Sequence, residues 1–329
     1  MKTIAIWYEP TNPSTDHKKI ELHFNLWKLP NGGAYQRFLD IGIKIQEPAD
    51  VKELCLYFPF VIVDSDFEDI VGQFIKDSSL VSAIFNENYT VSSNSQTKSY
   101  PIKNTKGEEV FDIYETSAGN RKREEKFNGT VFRLHSFETN RPIYFRLRVK
   151  GPYVESLSAI QETPNAFIQS AFSKTEMIDF RVNEARDLSK DLLAEIAKQS
   201  EFTFEKYHFF FVCSYSEDIL SSHKQYNNCR NLENYRWGSY VGNEKLKDQT
   251  FLAYHWKEEK KNNINVLIRT KFEKNNVRTI IKYLLVSLFI AVVFSLISAF
   301  TFDYLQHLLK HPSHESPHFN KARVCIQNF

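Results

Sequence analysis

Residues Tyr283 to Phe302, YLLVSLFIAVVFSLISAFTF, form a run of twenty without a charge, glycine or proline. As a helix at about 1.5 Å per residue, the run measures about 30 Å, the thickness of a bilayer's hydrocarbon core. A helix of that length in a soluble core would keep a polar face, and this run has none. It therefore reads as one transmembrane span, and everything else must fold on one side of it or the other.

The flanks of the span are unequal. Within about twenty residues on either side, Arg269, Lys271, Lys274, Arg278 and Lys282 precede it, whereas only Lys310 and Lys321 follow. The positive-inside rule then holds the N-terminal bulk in the cytosol, at the inner membrane if the cell is bacterial, and sends a short tail across. Tyr283 and Tyr304 mark the two interfaces, and Met1 to Pro10 lacks the apolar core of a signal peptide. Within the span, Ser287, Ala291, Ser295 and Ala299 recur every four residues. Small side chains on one stripe let membrane helices approach closely, so the lipid bilayer and a second copy of the chain are the first partners expected.

About 275 residues remain outside the span and tail, enough for one large or two modest domains. The formal charge of +2 provides no global field for nucleic acid, and direct nucleic-acid binding is not expected. Cys55, Cys213, Cys229 and Cys325 lack metal-type spacing, and the first two sit in apolar runs as core thiols. That usage fits a reducing compartment, where the sequons at Asn88 and Asn128 have no role.

Alternation dominates the first half. Ile20, Leu22, Phe24 and Leu26 oppose Glu21, His23 and Asn25, and Leu39, Ile41, Ile43 and Ile45 alternate in the same way. Leu54–Val63 reads as a buried strand, Ser65–Lys76 as a capped helix, and Leu80–Phe85, Val110–Tyr114, Thr130–His135 and Pro142–Lys150 as strands. Ser92–Lys106 and Ser117–Asn128 read as exposed loops. After Gly151-Pro152, a strand around Phe180, a helix from about Leu188 to Gln199 and a strand over Tyr207–Cys213 suggest a βαβ unit or an antiparallel return. The expected class is α+β, mostly β. Residues 1–152 form a cytosolic sandwich- or barrel-like region and 153–272 a small α+β region. The basic segment and transmembrane helix occupy 273–305, and the tail 306–329.

Glycine-rich phosphate loops, GxSxG, HExxH and paired CxxC motifs are absent, and no cofactor is expected. Arg133, His135, Tyr144, Arg146 and Arg148 lie at the outward positions of two consecutive strands. If those strands pair, the five residues share one cationic face suited to a phosphate and an aromatic ring. Arg121, Lys122, Arg123 and Lys126 make a second basic cluster that could touch anionic lipid. Asp179, Arg181, Glu184 and Arg186 could serve as acid and base, although such a cluster more often forms ion pairs. His307, His311, His314 and His318 have helical spacing for a metal, but Pro312 and Pro317 interrupt it, so no metal site is expected.

Together these features point to a single-pass sensor or effector. Its cytosolic part would bind an anionic ligand or a protein partner and control association of the membrane helices. By architecture alone the chain resembles membrane-acting effectors of bacterial antiviral defence, which join a sensing domain to a span. Two alternatives stand beside this: a membrane-tethered enzyme acting on a phosphate-containing substrate through Asp179 and Glu184, and a structural tether for a cytosolic partner.

Overall fold

The computed structural model describes residues 3–12, 17–31, 34–92, 99–116, 119–135, 139–161, 173–232, 234–242, 249–273 and 277–310. It divides into a compact unit, Met1–Glu273, and a second unit, Lys274–Phe329. The expected boundary at Gly151-Pro152 falls inside the first unit, because strands from before and after it share a sheet.

The protein is mostly β, with few helices. In chain order the first strands are β1 (Ala5–Pro10), β2 (Lys19–Asn31), β3 (Ala34–Ile45), β4 (Val51–Phe58) and β5 (Phe67–Asp69). Helices α1 (Val71–Phe74) and α2 (Ser78–Phe85) follow, then β6 (Thr90–Val91), β7 (Ser99–Lys103), β8 (Glu109–Tyr114), β9 (Arg121–Lys126), β10 (Gly129–His135) and β11 (Ile143–Val149). Beyond α3 (Pro152–Ser156) come β12 (Ser158–Gln161), β13 (Ser173–Val182), α4 (Lys190–Lys198), β14 (Ser200–Glu201), β15 (Thr203–Ser214), β16 (Glu217–Ser222) and β17 (Asn228–Leu232). The unit ends with α5 (Asn234–Val241), β18 (Phe251–Lys261) and β19 (Ile264–Glu273).

The described residues form three sheets. A ten-stranded sheet runs β17-β18-β15-β2-β3-β11-β8-β7-β6, with β5 also on β11; a five-stranded sheet runs β14-β1-β4-β10-β9; a four-stranded sheet runs β12-β13-β19-β16. Period-2 patterning decides which face of each sheet is apolar. Leu22, Phe24, Ile41, Ile43, Phe145 and Leu147 of the large sheet meet Leu56 and Phe132 of the five-stranded sheet in one core, which Phe180 and Val266 of the four-stranded sheet complete. This is sandwich packing. The far side of the five-stranded sheet is closed by Leu192 and Ile196 of α4 against Trp7 and Cys55. The far side of the large sheet is covered in part by α1, α2 and α5, through Phe74, Leu80, Trp237 and Tyr240.

Several local expectations change. Leu80–Phe85 lies in helix α2 and not in a strand: its N-cap Asp77 accepts a hydrogen bond from the Ser79 amide, and so short an apolar run does not separate a helical period from a strand's. In place of a helix from Ser65 stand a 3-10 turn (Asp64–Asp66), strand β5 and the short α1, because Phe67–Asp69 pairs with β11. Arg121–Lys126, expected in a loop, is strand β9. Phe127 and Asn128, both at φ 57°, form the tight turn into β10. As an edge strand β9 is free to be charged throughout, which conceals it from hydropathy. The strand–helix–strand stretch after residue 173 is neither a βαβ unit nor an antiparallel return, since β13 and β15 belong to different sheets.

In the second unit, helix α6 (Val277–Lys310) includes a stretch, Ile280–Lys310, long and apolar enough to cross a membrane, with mean hydropathy 2.6 and none of its apolar window buried. His311, His314, His318 and Cys325 lie outside the described residues.

Candidate functional site: a cationic cleft on the large sheet

The α-covered face of the large sheet changes character along its strands. At one end Trp27, Phe38 and Val212 are sealed under Trp237 and Tyr240 of α5. Here Arg148 donates to both carboxylate oxygens of buried Asp40 (Nε–Oδ1 2.7 Å, Nη2–Oδ2 3.1 Å) and lies 4.0 Å from the Phe38 ring centre. The Tyr240 hydroxyl donates to the same Asp40 Oδ2 at 2.6 Å. A bidentate pair of this kind is complete, with no charge left over for a ligand.

One step along β11, buried Arg146 organises the next layer. Its Nε donates to the Tyr240 oxygen at 2.6 Å and its Nη1 to the Tyr144 oxygen at 2.8 Å. The Tyr240 hydroxyl proton goes to Asp40, and the Tyr144 oxygen also lies 3.4 Å from His23 Nδ1. His23 is itself buried at this end of the cleft. Burial, with His208 and Arg146 nearby, pushes its pKa well below the usual histidine value.

Tyr144 can lie flat across β3 only because its neighbour there is Gly42. A Cβ at that position would meet the Tyr144 hydroxyl and sit 2.7 Å from Cζ. Gly42→Ala is expected to cost about 1–3 kcal/mol through overpacking. Gly72→Ala, with nothing within 4 Å of the new carbon, should cost far less. Denaturant midpoints of the two variants check this.

Beyond Tyr144 the face opens into a cleft of about 430 Å³ between the C-terminal end of α2 and the β17–β18 edge. That volume is within the range of small-molecule sites. Lys44, Lys206, Arg230 and Lys257 line it, with Glu21 and Glu87 as the acidic members. Among the described residues Lys44 and Lys206 form no ion pair, and Glu21 sits between them in register. The floor is aromatic. The His255 ring is nearly parallel to those of His208 and Phe210 (6° and 3°), with centres 5.0 and 4.3 Å away. Burial lowers the pKa of His208 to about 3, with His255 adding to it, and that of His255 to about 4, with Arg230 and Lys257 adding. Near neutral pH the floor is therefore uncharged while the rim is positive.

The expected five-residue face is divided by the fold. β10 pairs with β4 and β9, whereas β11 pairs with β3, β5 and β8, so the two strands lie in different sheets and do not pair. Arg133 is enclosed by Glu195 (2.8 Å), Glu53 (3.2 Å) and Glu124 (3.5 Å), and His135 contacts Glu53 at 3.1 Å. Tyr144, Arg146 and Arg148 do share a face, but it is buried, and only Arg146 reaches the cleft system.

The Asp179 cluster is an ion-pair network: Arg181 joins Asp179 (2.7 Å) and Asp187 (2.8 Å), and Arg186 pairs with Glu184 at 2.9 Å. Lys122, Arg123 and Lys126 are matched by Glu124, Glu125 and Glu195. No group of histidine, cysteine and acidic residues suited to a metal ion occurs among the described residues.

The residues of the cleft come from five strands and one helix end, which no single stretch reveals. Partial signals were present, since His23 occupies an outward position of β2. His208 and Phe210 do the same in the apolar run Tyr207–Cys213. The chain matches no protein-family model and no curated protein by sequence.

Proposed function

We propose that the chain is a single-pass, membrane-anchored sensor or effector whose folded unit binds an anionic small molecule in the large-sheet cleft and so controls association of its membrane helices. The observation that supports this reading is a ring of four cationic side chains above a neutral aromatic floor, in a chain that also carries a bilayer-length apolar helix. Opposite charge draws the ligand in, and the low dielectric of the floor strengthens each contact. The basic segment before the helix supports a cytosolic folded unit, and the Ser287–Ala299 stripe is the surface on which the helices would meet. A role in bacterial antiviral defence rests on architectural analogy alone. The alternative enzyme is less well supported, because Asp179 and Glu184 are each held by an arginine.

Thermal unfolding of the full chain in lipid nanodiscs tests this, against pyrophosphate, nucleotides, cyclic oligonucleotides and anionic headgroups. A binder at a hundred times its dissociation constant adds about 2.7 kcal/mol. The shift is expected to vanish in Lys206→Glu/Lys257→Glu. Inter-helix crosslinking in liposomes should change with the same compound. A folded chain that responds to none of them overturns the reading.

A further inference from the structure

At its inner end the cleft continues into a recess of about 20 Å³, room for one water-sized group. His23, Phe210 and Arg230 line both spaces. Three residues that line the recess each carry a buried polar atom without a hydrogen-bond partner: Arg146 Nη2, Trp27 Nε1 and Asn25 Oδ1. Arg146 and Trp27 are each 1% exposed, and Arg146's other nitrogens are committed to Tyr240 and Tyr144. Leaving such groups unpaired is costly, and a site with this pattern selects for whatever completes it.

The pattern has a chemical sense. The residues that carry these two free N–H donors and the free amide oxygen line a space the size of one oxygen. A carbonyl oxygen next to a ring N–H satisfies all three: the carbonyl accepts from Arg146 and Trp27, and the N–H donates to Asn25. Flat rings line the approach, and cations stand at the mouth. Building on the anionic-ligand reading above, we infer that the cleft takes a phosphorylated heteroaromatic ring bearing an oxo group beside a ring N–H, as in uracil or a 6-oxopurine. The oxo edge enters the recess, the ring packs against Phe210, His208 and His255, and the phosphate meets Lys44, Lys206, Arg230 and Lys257. An amino group in place of the oxo group would turn a donor toward two donors and lose the pairing.

Titration calorimetry on the full chain in nanodiscs, with UMP against CMP, IMP against AMP, and ribose 5-phosphate and pyrophosphate as ring-free anions, decides the matter. The oxo member of each pair is expected to bind at least about tenfold tighter than the amino member. Both oxo nucleotides should exceed ribose 5-phosphate. Trp27→Phe, which keeps the ring and removes one donor, should narrow the oxo-to-amino ratio without weakening pyrophosphate, and circular dichroism confirms that it folds. Equal affinity within each pair, or a preference for the amino member, overturns the inference. So does ribose 5-phosphate binding as tightly as UMP, which would leave an anion site intact and a recess that holds only solvent. If no probe binds the folded wild-type chain, both this inference and the anionic-ligand reading fail.

Discussion

Lys28→Met is expected to lower the unfolding free energy by about 3–5 kcal/mol, the range seen when one partner is removed from a buried ion cluster. Lys28 continues the apolar stripe of β2, so its ammonium group enters the core. There Nζ lies 2.5 Å from Glu176 Oε2 and 2.7 Å from Glu217 Oε1, and all three side chains are 1% exposed or less. Arg37 donates to Glu176 at 2.8 Å, and Thr270 donates to Glu217 at 2.6 Å. Burial pushes the Glu176 carboxyl up, but Lys28 and Arg37 outweigh it and hold the pKa below the usual carboxylate value. Glu217 has Lys28 without an arginine, so burial prevails and its pKa is raised.

Methionine keeps the length and apolar stem of lysine while leaving two buried carboxylates to one arginine. Adding Glu217→Gln to Lys28→Met should recover part of the loss, because it removes the carboxylate with the fewest remaining partners. Equilibrium guanidinium unfolding of the full chain reads both. A Lys28→Met cost under about 1 kcal/mol would mean that the two carboxyls are neutral and that the lysine contributes packing alone.

Acidification gives the second large effect. His23, His208 and His255 have folded pKa values below 6.5, the unfolded reference, at about 3 for His208 and about 4 for His255. Between pH 6.5 and 4 the unfolded chain therefore binds more protons than the folded one, and stability rises with pH across that window. It is present above about pH 6.5 and is lost as the pH falls toward the folded values. Between pH 7 and pH 5 each histidine contributes about 1–2 kcal/mol after discounting the partial exposure of His208 and His255. The melting temperature at pH 5 should accordingly lie several degrees below that at pH 7. His23→Asn/His208→Asn/His255→Asn, compared with itself over the same range, should show a clearly shallower slope. An unchanged slope would assign the acid sensitivity to carboxylates elsewhere.

Much of the fold was legible in the residues. Period-2 alternation identified β2, β3, β10 and β11 and their apolar faces, and Leu192 and Ile196 identified the buried side of α4. Where alternation fails, sequence reading failed too. The charged edge strand β9 read as a loop, and the run in α2 was too short to show its period. The site is a different case. Arg146 and Tyr144 alternate along β11 with the core residues Phe145 and Leu147, as the spacing predicts. Alternation says which side of a strand a residue takes but not what covers that side, and here α5 and Tyr240 cover it.

By itself, the sequence determined what depends on neighbours along the chain. That comprises the bilayer-length apolar helix, the sign of the charge before it, and the two faces of each alternating strand, all of which follow from local spacing and hydropathy. Tertiary structure alone decided that β10 and β11 part into different sheets, and that a lysine in an apolar stripe meets two carboxylates from a second sheet. It also brought His23, His208 and His255 from three strands to one floor. Strand pairing is set by total burial over contacts distant in sequence, so the residues it joins carry no mark of one another in the chain.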